Sequence, residues 1–312
     1  MKIRHLGHDG HSITIATPAK VNLFFELLDR RGDGFHEIDT VMSTVSLFDD
    51  LHFSVRNDGL LRLQIIQEGC TDSESIPTDE RNLILQAMSR RKASHGASDL
   101  GCDVFLRKRI PSAAGLGGAS GNAAGALFAA NWIWKLGLGQ QQLDSIGATI
   151  GSDVPFFFHG GICHCTGRGE VTKSIDAPAG MAIVIAKPEE GLSTAAVYGK
   201  CSVPPQPKSS ANILQHLQTG SWNKVGEQLF NRLETFAMSM TPAIGKLKEI
   251  FDQLDCVGHQ MSGSGTSYFG IFRNAADAHR AAKIATLEIG NTIFTCSTLG
   301  QERNFQASPE SG

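Results

Sequence analysis

The segment Ile110–Leu127, IPSAAGLGGASGNAAGAL, constrains this chain more than any other. It joins an alternating strand pattern, CDVFLRKRI, to a small-residue helix expected from about Ser120 to Leu136. Glycine lets a backbone approach a ligand closely and adopt positive φ. A following helix N-terminus adds unpaired N–H groups and the positive end of a dipole. Gly115, Gly117, Gly118 and Gly121 supply the loop, Ser120 and Asn122 are cap-type residues, and Ala123, Ala124 and Ala126 begin a close-packed helix. No Gly-Lys-Ser/Thr ends the stretch, so it is not a Walker A loop. Ser120 occupies the third glycine position of the dinucleotide fingerprint, so it is not that motif either. Two readings stand on the stretch alone: a phosphate cradle, or a tight turn entering a packed helix.

The rest of the chain sets the class. With 312 residues it can bury a large core in one large domain or two ordinary ones. A net charge of −3 and no basic face argue against a nucleic-acid partner. No apolar run reaches membrane-spanning length, and MKIRHLGHDGHS lacks the apolar core of a signal peptide, so a cytoplasmic protein is expected. Seven scattered cysteines favour reduced thiols over a disulfide framework. Cys163-His164-Cys165 resembles half a metal site, but alternation sends the histidine to the opposite strand face and no second ligand pair accompanies it. His5, His8 and His11 belong to a polar leader expected to fray.

Periodicity gives mixed α+β structure rather than a regular βα repeat. SITIA and VNLFFELL read as two strands, and LHFSVR and LRLQII as a hairpin turning at Asp58-Gly59. Helical patterns begin near Asn82 and recur at 140–149, 211–218, 222–231, 241–254 and 275–288. GGICHCTG, GMAIVIAKP, TSYFGIF and NTIFTCST read as further strands, with a glycine-rich turn at Ser262–Gly265 and a loop at 201–210.

Five motifs then stand in order: PAKVN at Pro18–Asn22, RRGDGFHEIDTVM at Arg30–Met42, the glycine stretch, IGSDVPFF at Ile150–Phe157 and MSGSGTSYF at Met261–Phe269. Together, from about residue 14 to 298, the chain resembles the GHMP small-molecule kinases. The resemblance implies their two-domain α+β fold: an N-terminal domain like ribosomal protein S5 domain 2, with an unusual left-handed βαβ connection, and a ferredoxin-like C-terminal domain. The expected division is a flexible leader at 1–12, an N-terminal domain at 13–175 and a C-terminal domain with a polar tail at 176–312. PAKVNLFFELLDRRGDGFHE and GSDVPFF resemble, more narrowly, the members that phosphorylate one hydroxyl of a methylerythritol carrying CDP, in non-mevalonate isoprenoid synthesis. ATP and Mg²⁺ are implied as cofactors, and a monomer or weak homodimer as the working state.

The same resemblance implies roles residue by residue. Asp153 matches the catalytic aspartate, which takes the acceptor proton; its plain alternative is a turn residue before Pro155. Lys20 matches the catalytic lysine, against the commoner fate of an exposed lysine. Asn22, on the same strand face, would orient substrate. Pro111, Ser112, Ala113, Ala114, Gly115, Leu116, Gly117, Gly118, Ala119, Ser120 and Gly121 would hold ATP, with Ser120 the hydroxyl at Mg²⁺. The family usually carries two serines there, and Gly121 departs from that. Asn82 matches a residue by the adenine pocket, or is simply a helix cap. Phe35 and His36 match residues that read cytosine, Tyr198 the second aromatic, and Thr194 a polar contact. Gly263, Ser264 and Gly265 form a turn expected beside the phosphate loop and the substrate, or a plain strand-entry turn. The alternatives are another GHMP kinase acting on a sugar, homoserine or mevalonate, a ligand-binding protein of the same fold without catalysis, and a Rossmann dehydrogenase. The base-reading aromatics, intact Lys20 and Asp153, and the broken glycine fingerprint weigh against these in turn.

Overall fold

The computed structural model describes residues 1–7, 10–69, 76–95, 99–289 and 292–301. His8 and the tail beyond 301 lie outside them. Among the described residues the strands are β1 (Lys2–Leu6), β2 (Ser12–Arg30), β3 (His36–Arg56), β4 (Leu61–Gln67), β5 (Gly101–Lys108), β6 (Ile162–Thr166), β7 (Val171–Ile175), β8 (Ala182–Lys187), β9 (Phe230–Asn231), β10 (Gly258–Met261), β11 (Tyr268–Phe272) and β12 (Thr292–Ser297). The helices are α1 (Leu83–His95), α2 (Gly118–Ile133), α3 (Gln140–Ile150), α4 (Val154–His159), α5 (Thr194–Lys200), α6 (Ala211–Gln218), α7 (Trp222–Glu227), α8 (Glu234–Met238), α9 (Pro242–Gln253) and α10 (Ala275–Ile289). The mixed helix-and-sheet class expected from the sequence is the one observed.

Two long strands organise the first sheet. β2 and β3 pair antiparallel along nearly their whole length. One end of this ladder is flanked by β1 on β2 and by β5 then β4 on β3; the other end carries β9 on β2 and β6 then β7 on β3. Each long strand therefore changes partner midway. The two strands expected at 12–30 are one strand, interrupted by a register shift between Pro18 and Ala19. Proline cannot donate to a ladder, so a bulge at this point keeps the strand continuous. The second sheet is ordered β10-β11-β8-β12, all antiparallel.

Three expectations fail here. Residues 2–6 are not a frayed leader: β1 pairs with Ile13–Ala16 of β2, and Met1 is buried in the core. LHFSVR and LRLQII do not form a hairpin. β5 inserts between them, antiparallel to β3 and parallel to β4, so α1 is the crossover of a β4–α1–β5 unit. Burying one face of three strands against α1 and α2 outweighs the local turn signal at Asp58-Gly59. The helix expected at 222–231 ends at Glu227, because Phe230 and Asn231 leave it to pair with Phe24 and Phe25.

The core beneath the first sheet is filled by α1, α2 and α4. α2 approaches β2 closely because its facing residues are small: a Cβ on Gly125 would lie 2.7 Å from Thr17 Cγ2. Within this contact sits a buried polar cluster. The Asp49 carboxylate, fully buried, accepts from Lys108 Nζ (2.9 Å), Asn122 Nδ2 (2.9 Å) and the N–H groups of Arg109 (2.7 Å) and Ile110 (2.8 Å). Thr17 Oγ1 donates to Asn122 Oδ1 at 2.6 Å. Among the described residues no helix is long and apolar enough to cross a membrane.

Removing one member of a buried ion pair leaves the other charged and uncompensated. Lys108→Met is therefore expected to lower unfolding free energy by about 3–5 kcal/mol. Denaturant titration checks this; a loss under about 1 kcal/mol would show that the pair contributes little.

Candidate active site

The first helical turn of α2 opens onto a cavity of about 820 Å³. Its floor is the loop between β5 and α2. Ala113, Gly115 and Gly117 there all have positive φ, at 48°, 71° and 68°. Gly117, in the left-handed region, is the N-cap of α2, so Ser120 and Asn122 are not caps but lie inside the helix. The N–H groups of Gly118, Ala119 and Ser120 come before the first intrahelical acceptor bond, as at any helix start. The N–H of Gly121 is already given to the Gly117 carbonyl at 2.9 Å.

Two glycines are fixed by close approach. A Cβ at Gly117 would meet Lys20 Cγ at 2.8 Å and Phe157 Cζ at 3.0 Å, so this position must be bare for the lysine stem to pass. A Cβ at Gly115 would lie 2.1 Å from the Ser262 carbonyl oxygen. Here the loop meets the glycine-rich turn. Ser262 Oγ donates to the Gly115 carbonyl (3.0 Å), and Ser267 N–H donates to that of Ala114 (3.1 Å). The Leu116 carbonyl accepts from Lys20 N–H at 2.9 Å, docking the loop onto β2.

Lys20 is almost wholly buried, and its ammonium donates to Asn22 Oδ1 at 2.5 Å. Asp153 Oδ2 lies 3.6 Å from it. Asn22 in turn donates to Thr40 Oγ1 at 2.9 Å, which fixes the amide. Asp153 stands at the N-cap position of α4 yet makes no capping bond. Its carboxylate, one-third exposed, faces Lys20 and the cavity instead. The plain reading of Asp153 as a turn residue thus describes its backbone and not its side chain.

At the far end His36 packs against Tyr198, ring centroids 5.5 Å apart, and Tyr198 meets Phe25 edge-on at 6.3 Å. Burial, with the nearby Arg30 charge, lowers the His36 pKa, so the ring is neutral at neutral pH. Burial pushes the Tyr198 phenol up, so it stays protonated. Phe35 is half-exposed, and the Arg168 guanidinium lies over its ring, 4.9 Å from the centroid. Thr194 Oγ1 is 2.9 Å from Ser264 Oγ.

The residues expected from sequence therefore line one cavity: Lys20, Asn22, Phe35, His36, Asn82, Pro111 to Ser120, Asp153, Thr194, Tyr198, Gly263 and Ser264. Gly121 and Gly265 do not. Gly121 faces the Pro18 carbonyl (3.2 Å from an added Cβ) and Phe157 (3.3 Å), and Gly265 faces Met261 and Ile244. A second serine at 121 would thus press on β2 and α4 rather than reach the cavity. Asn82 caps α1, accepting from Ile84 N–H at 3.0 Å, while also lining the cavity. Cys163 and Cys165 are buried, with Cys163 pushed up to about 12 by burial, and His164 instead pairs with Asp39 at 2.8 Å.

The resemblance implies that residues 107–114 pass near the nucleotide, but it does not single out the Lys108, Asn122 and Arg168 side chains that also line the cavity. For Lys108 a signal existed: Cys102, Val104 and Leu106 share its parity on β5 and its buried face. Arg168, on the β6–β7 turn, is brought to Phe35 only by tertiary packing.

The GHMP kinases N terminal domain model matches residues 82–161, and the GHMP kinases C terminal model matches 213–287. The chain belongs to the GHMP kinase family. It is 37% identical over 270 residues to the 4-diphosphocytidyl-2-C-methyl-D-erythritol kinase of Brevibacillus brevis, covering 86% of this chain and 90% of that one. The protein of the same name from Caldicellulosiruptor saccharolyticus is 38% identical, with 89% and 94% covered. A solved 4-(cytidine 5'-diphospho)-2C-methyl-D-erythritol kinase superposes with a TM-score of 0.74 at 28% identity, over 92% of this chain and 99% of that one. Homoserine kinase from Cytophaga hutchinsonii reaches the same TM-score at 17% identity, over 95% and 98%, and shares the fold.

Gly115→Ala adds positive-φ strain and a clash with Ser262, worth about 1–3 kcal/mol. The expected result is a roughly 5- to 150-fold loss in kcat/KM for ATP. Steady-state kinetics check it, and an unchanged value would mean that the loop does not need its contact with the turn.

Proposed function

We propose that the cavity carries out ATP-dependent phosphorylation of the 2-hydroxyl of 4-diphosphocytidyl-2-C-methyl-D-erythritol, giving the 2-phosphate and ADP for isoprenoid precursor synthesis. The observation that carries this reading is a single cavity bounded by a glycine loop at a helix start, a Lys20–Asp153 pair, and a His36–Tyr198 aromatic wall.

The N–H groups of Gly118, Ala119 and Ser120 and the dipole of α2 meet the phosphates of ATP. Pro111 to Leu116 run beside the nucleotide, with Asn82 at its adenine end. Asp153 takes the proton of the acceptor hydroxyl as that oxygen bonds to the γ-phosphorus and the bond to the β-phosphate oxygen breaks. The displaced electron pair leaves on ADP. The Lys20 ammonium beside Asp153 offers a positive charge to the reacting oxygen, and Asn22 holds the ammonium in place. The oxygen donors suit Mg²⁺, which takes few protein ligands beside substrate phosphates: Ser120 Oγ and the Asp153 carboxylate are the groups that would face it. When bound, the ion would neutralise phosphate charge.

His36, neutral, hydrogen-bonds cytosine, while the Phe35 and Tyr198 rings offer it stacking faces. Thr194, Gly263 and Ser264 close the acceptor side. A base-reading wall has no use for a small acceptor such as homoserine, which favours the cytidylated substrate over the other acceptors of this fold.

ADP release with 4-diphosphocytidyl-2-C-methyl-D-erythritol, compared with homoserine, mevalonate and sugars, tests the assignment. Release with none of them would support a binding protein without catalysis. In that assay Asp153→Asn is expected to lower kcat by roughly 10²–10⁴-fold with ATP affinity little changed; near-wild-type turnover would remove Asp153 as the base. His36→Ala is expected to raise KM for the cytidylated acceptor by about tenfold or more while leaving KM for ATP within about twofold. Equal losses for both substrates would count against base recognition.

A further inference from the structure

Asn231 lies outside the cavity, yet it holds the turn that closes the reaction centre. It sits on β9, where Phe25 is its parallel partner on β2. The next residue locks this pairing: Arg232 N–H donates to the Phe25 carbonyl at 2.9 Å, and its guanidinium meets the buried Glu26 carboxylate at 2.7 and 2.6 Å. Asn231 is thereby fixed to the strand that carries Lys20 and Asn22 a few residues earlier.

Its side chain is nearly buried and saturated. Oδ1 accepts from Leu233 N–H at 3.0 Å, while Nδ2 donates to both the Met261 and Gly263 carbonyls at 2.8 Å. These two carbonyls flank Ser262, the first residue of the turn. An added Cβ on Gly263 would lie 3.1 Å from Lys20 Nζ, 3.2 Å from the Gly115 carbonyl and 3.3 Å from Asn22 Oδ1. The turn therefore touches the ammonium, its amide partner and the phosphate loop at once.

We infer that Asn231 is a positioning residue for phosphoryl transfer: its amide ties the Ser262–Gly265 turn to β2 and so sets the distance between the phosphate loop and the Lys20–Asn22 pair. The inference rests on the kinase reading of the cavity. Toward the cavity the turn faces Gly115, Lys20, Asn22 and Thr194. The adenine end at Asn82 and the cytosine end at His36 are not among them. Loss of the tie should therefore slow the chemical step while leaving both ligands bound.

Asn231→Asp tests this with little change of shape. The carboxylate still accepts from Leu233 N–H but faces two carbonyl oxygens with no proton to give. The expected result is a fall in kcat on the order of 10²-fold, the cost of a small misplacement at a reacting centre. Dissociation constants for ADP and CDP, measured by calorimetry, should stay within about threefold. Hydrogen exchange should accelerate at the amides of Ser262, Gly265 and Ser267 and not at Ile84. Should this variant not fold, Ser262→Ala removes the turn's hydroxyl tie to Gly115 and is expected to give the same pattern. Wild-type kcat and exchange in the folded variant, or parallel loss of both ligand affinities, would overturn the inference. If the wild-type protein releases no ADP with the cytidylated acceptor, the kinase reading fails; the exchange measurement still decides whether Asn231 holds the turn.

Discussion

One buried carboxylate carries the site. Asp49 is removed from water and surrounded by N–H donors from Lys108, Arg109, Ile110 and Asn122. A carboxylate in that position persists only if paired and fully hydrogen-bonded. Those donors belong to the end of β5, the entry of the phosphate loop and the body of α2, so satisfying Asp49 brings the three together. On the proposed reading of the loop, an anion left bare behind it would oppose the ATP phosphates. The Lys108 ammonium cancels it, and also donates to the Ile110 carbonyl. The start of α2, with its N–H groups and positive dipole, faces the cavity beside Lys108 and Asn122.

Close approach does the rest. Bare Cα positions at Gly115 and Gly117 let the Ser262 turn and the Lys20 stem pack against the loop. The loop is held from β2, through Lys20 N–H on the Leu116 carbonyl, and from the β10–β11 turn, through Ser262 and Ser267. The reaction centre is thus a junction of segments far apart in sequence, and no single one of them positions it. This is why Lys20 is buried: its stem fills the junction, and only its ammonium reaches Asn22 and Asp153.

Much of this was legible in the sequence because local chemistry dictates it. The glycine loop, the helix after it, Lys20 and Asn22 on one strand face, and the alternation at Cys163–Cys165 follow from φ freedom and from a period of two. What was not legible depends on partners. Asp58-Gly59 looked like a hairpin turn, but β5 takes the place beside β3 because the crossover through α1 buries more apolar surface than a two-stranded ribbon can. β1 looked like a polar leader, since Lys2, Arg4 and His5 hide a strand whose pairing with β2 is entirely backbone. Asn122 read as a helix cap, whereas Asp49, distant in sequence, draws it inward as a buried donor. Gly121 looked like a phosphate-loop residue by spacing, but helical rotation turns it toward Pro18 and Phe157.

The division between fold and acceptor choice follows from where these parts lie. The spans matched by the two family models, 82–161 and 213–287, contain the phosphate loop, Asp153 and the glycine turn. Phe35, His36, Arg168, Thr194 and Tyr198 all fall outside them. A homoserine kinase shares the fold at a TM-score of 0.74 with 17% identity, and a shared fold does not by itself fix the function. We propose that acceptor choice resides in the β2–β3 connection, the β6–β7 turn and α5, which together build the aromatic end of the cavity. Those segments differ in what fixes them. His36 begins β3 and is set by the longest ladder in the protein, whereas Tyr198 sits on a two-turn helix after a proline-bearing loop. On the proposed reading, His36 supplies a directed hydrogen bond to a planar base and the Tyr198 ring a stacking face.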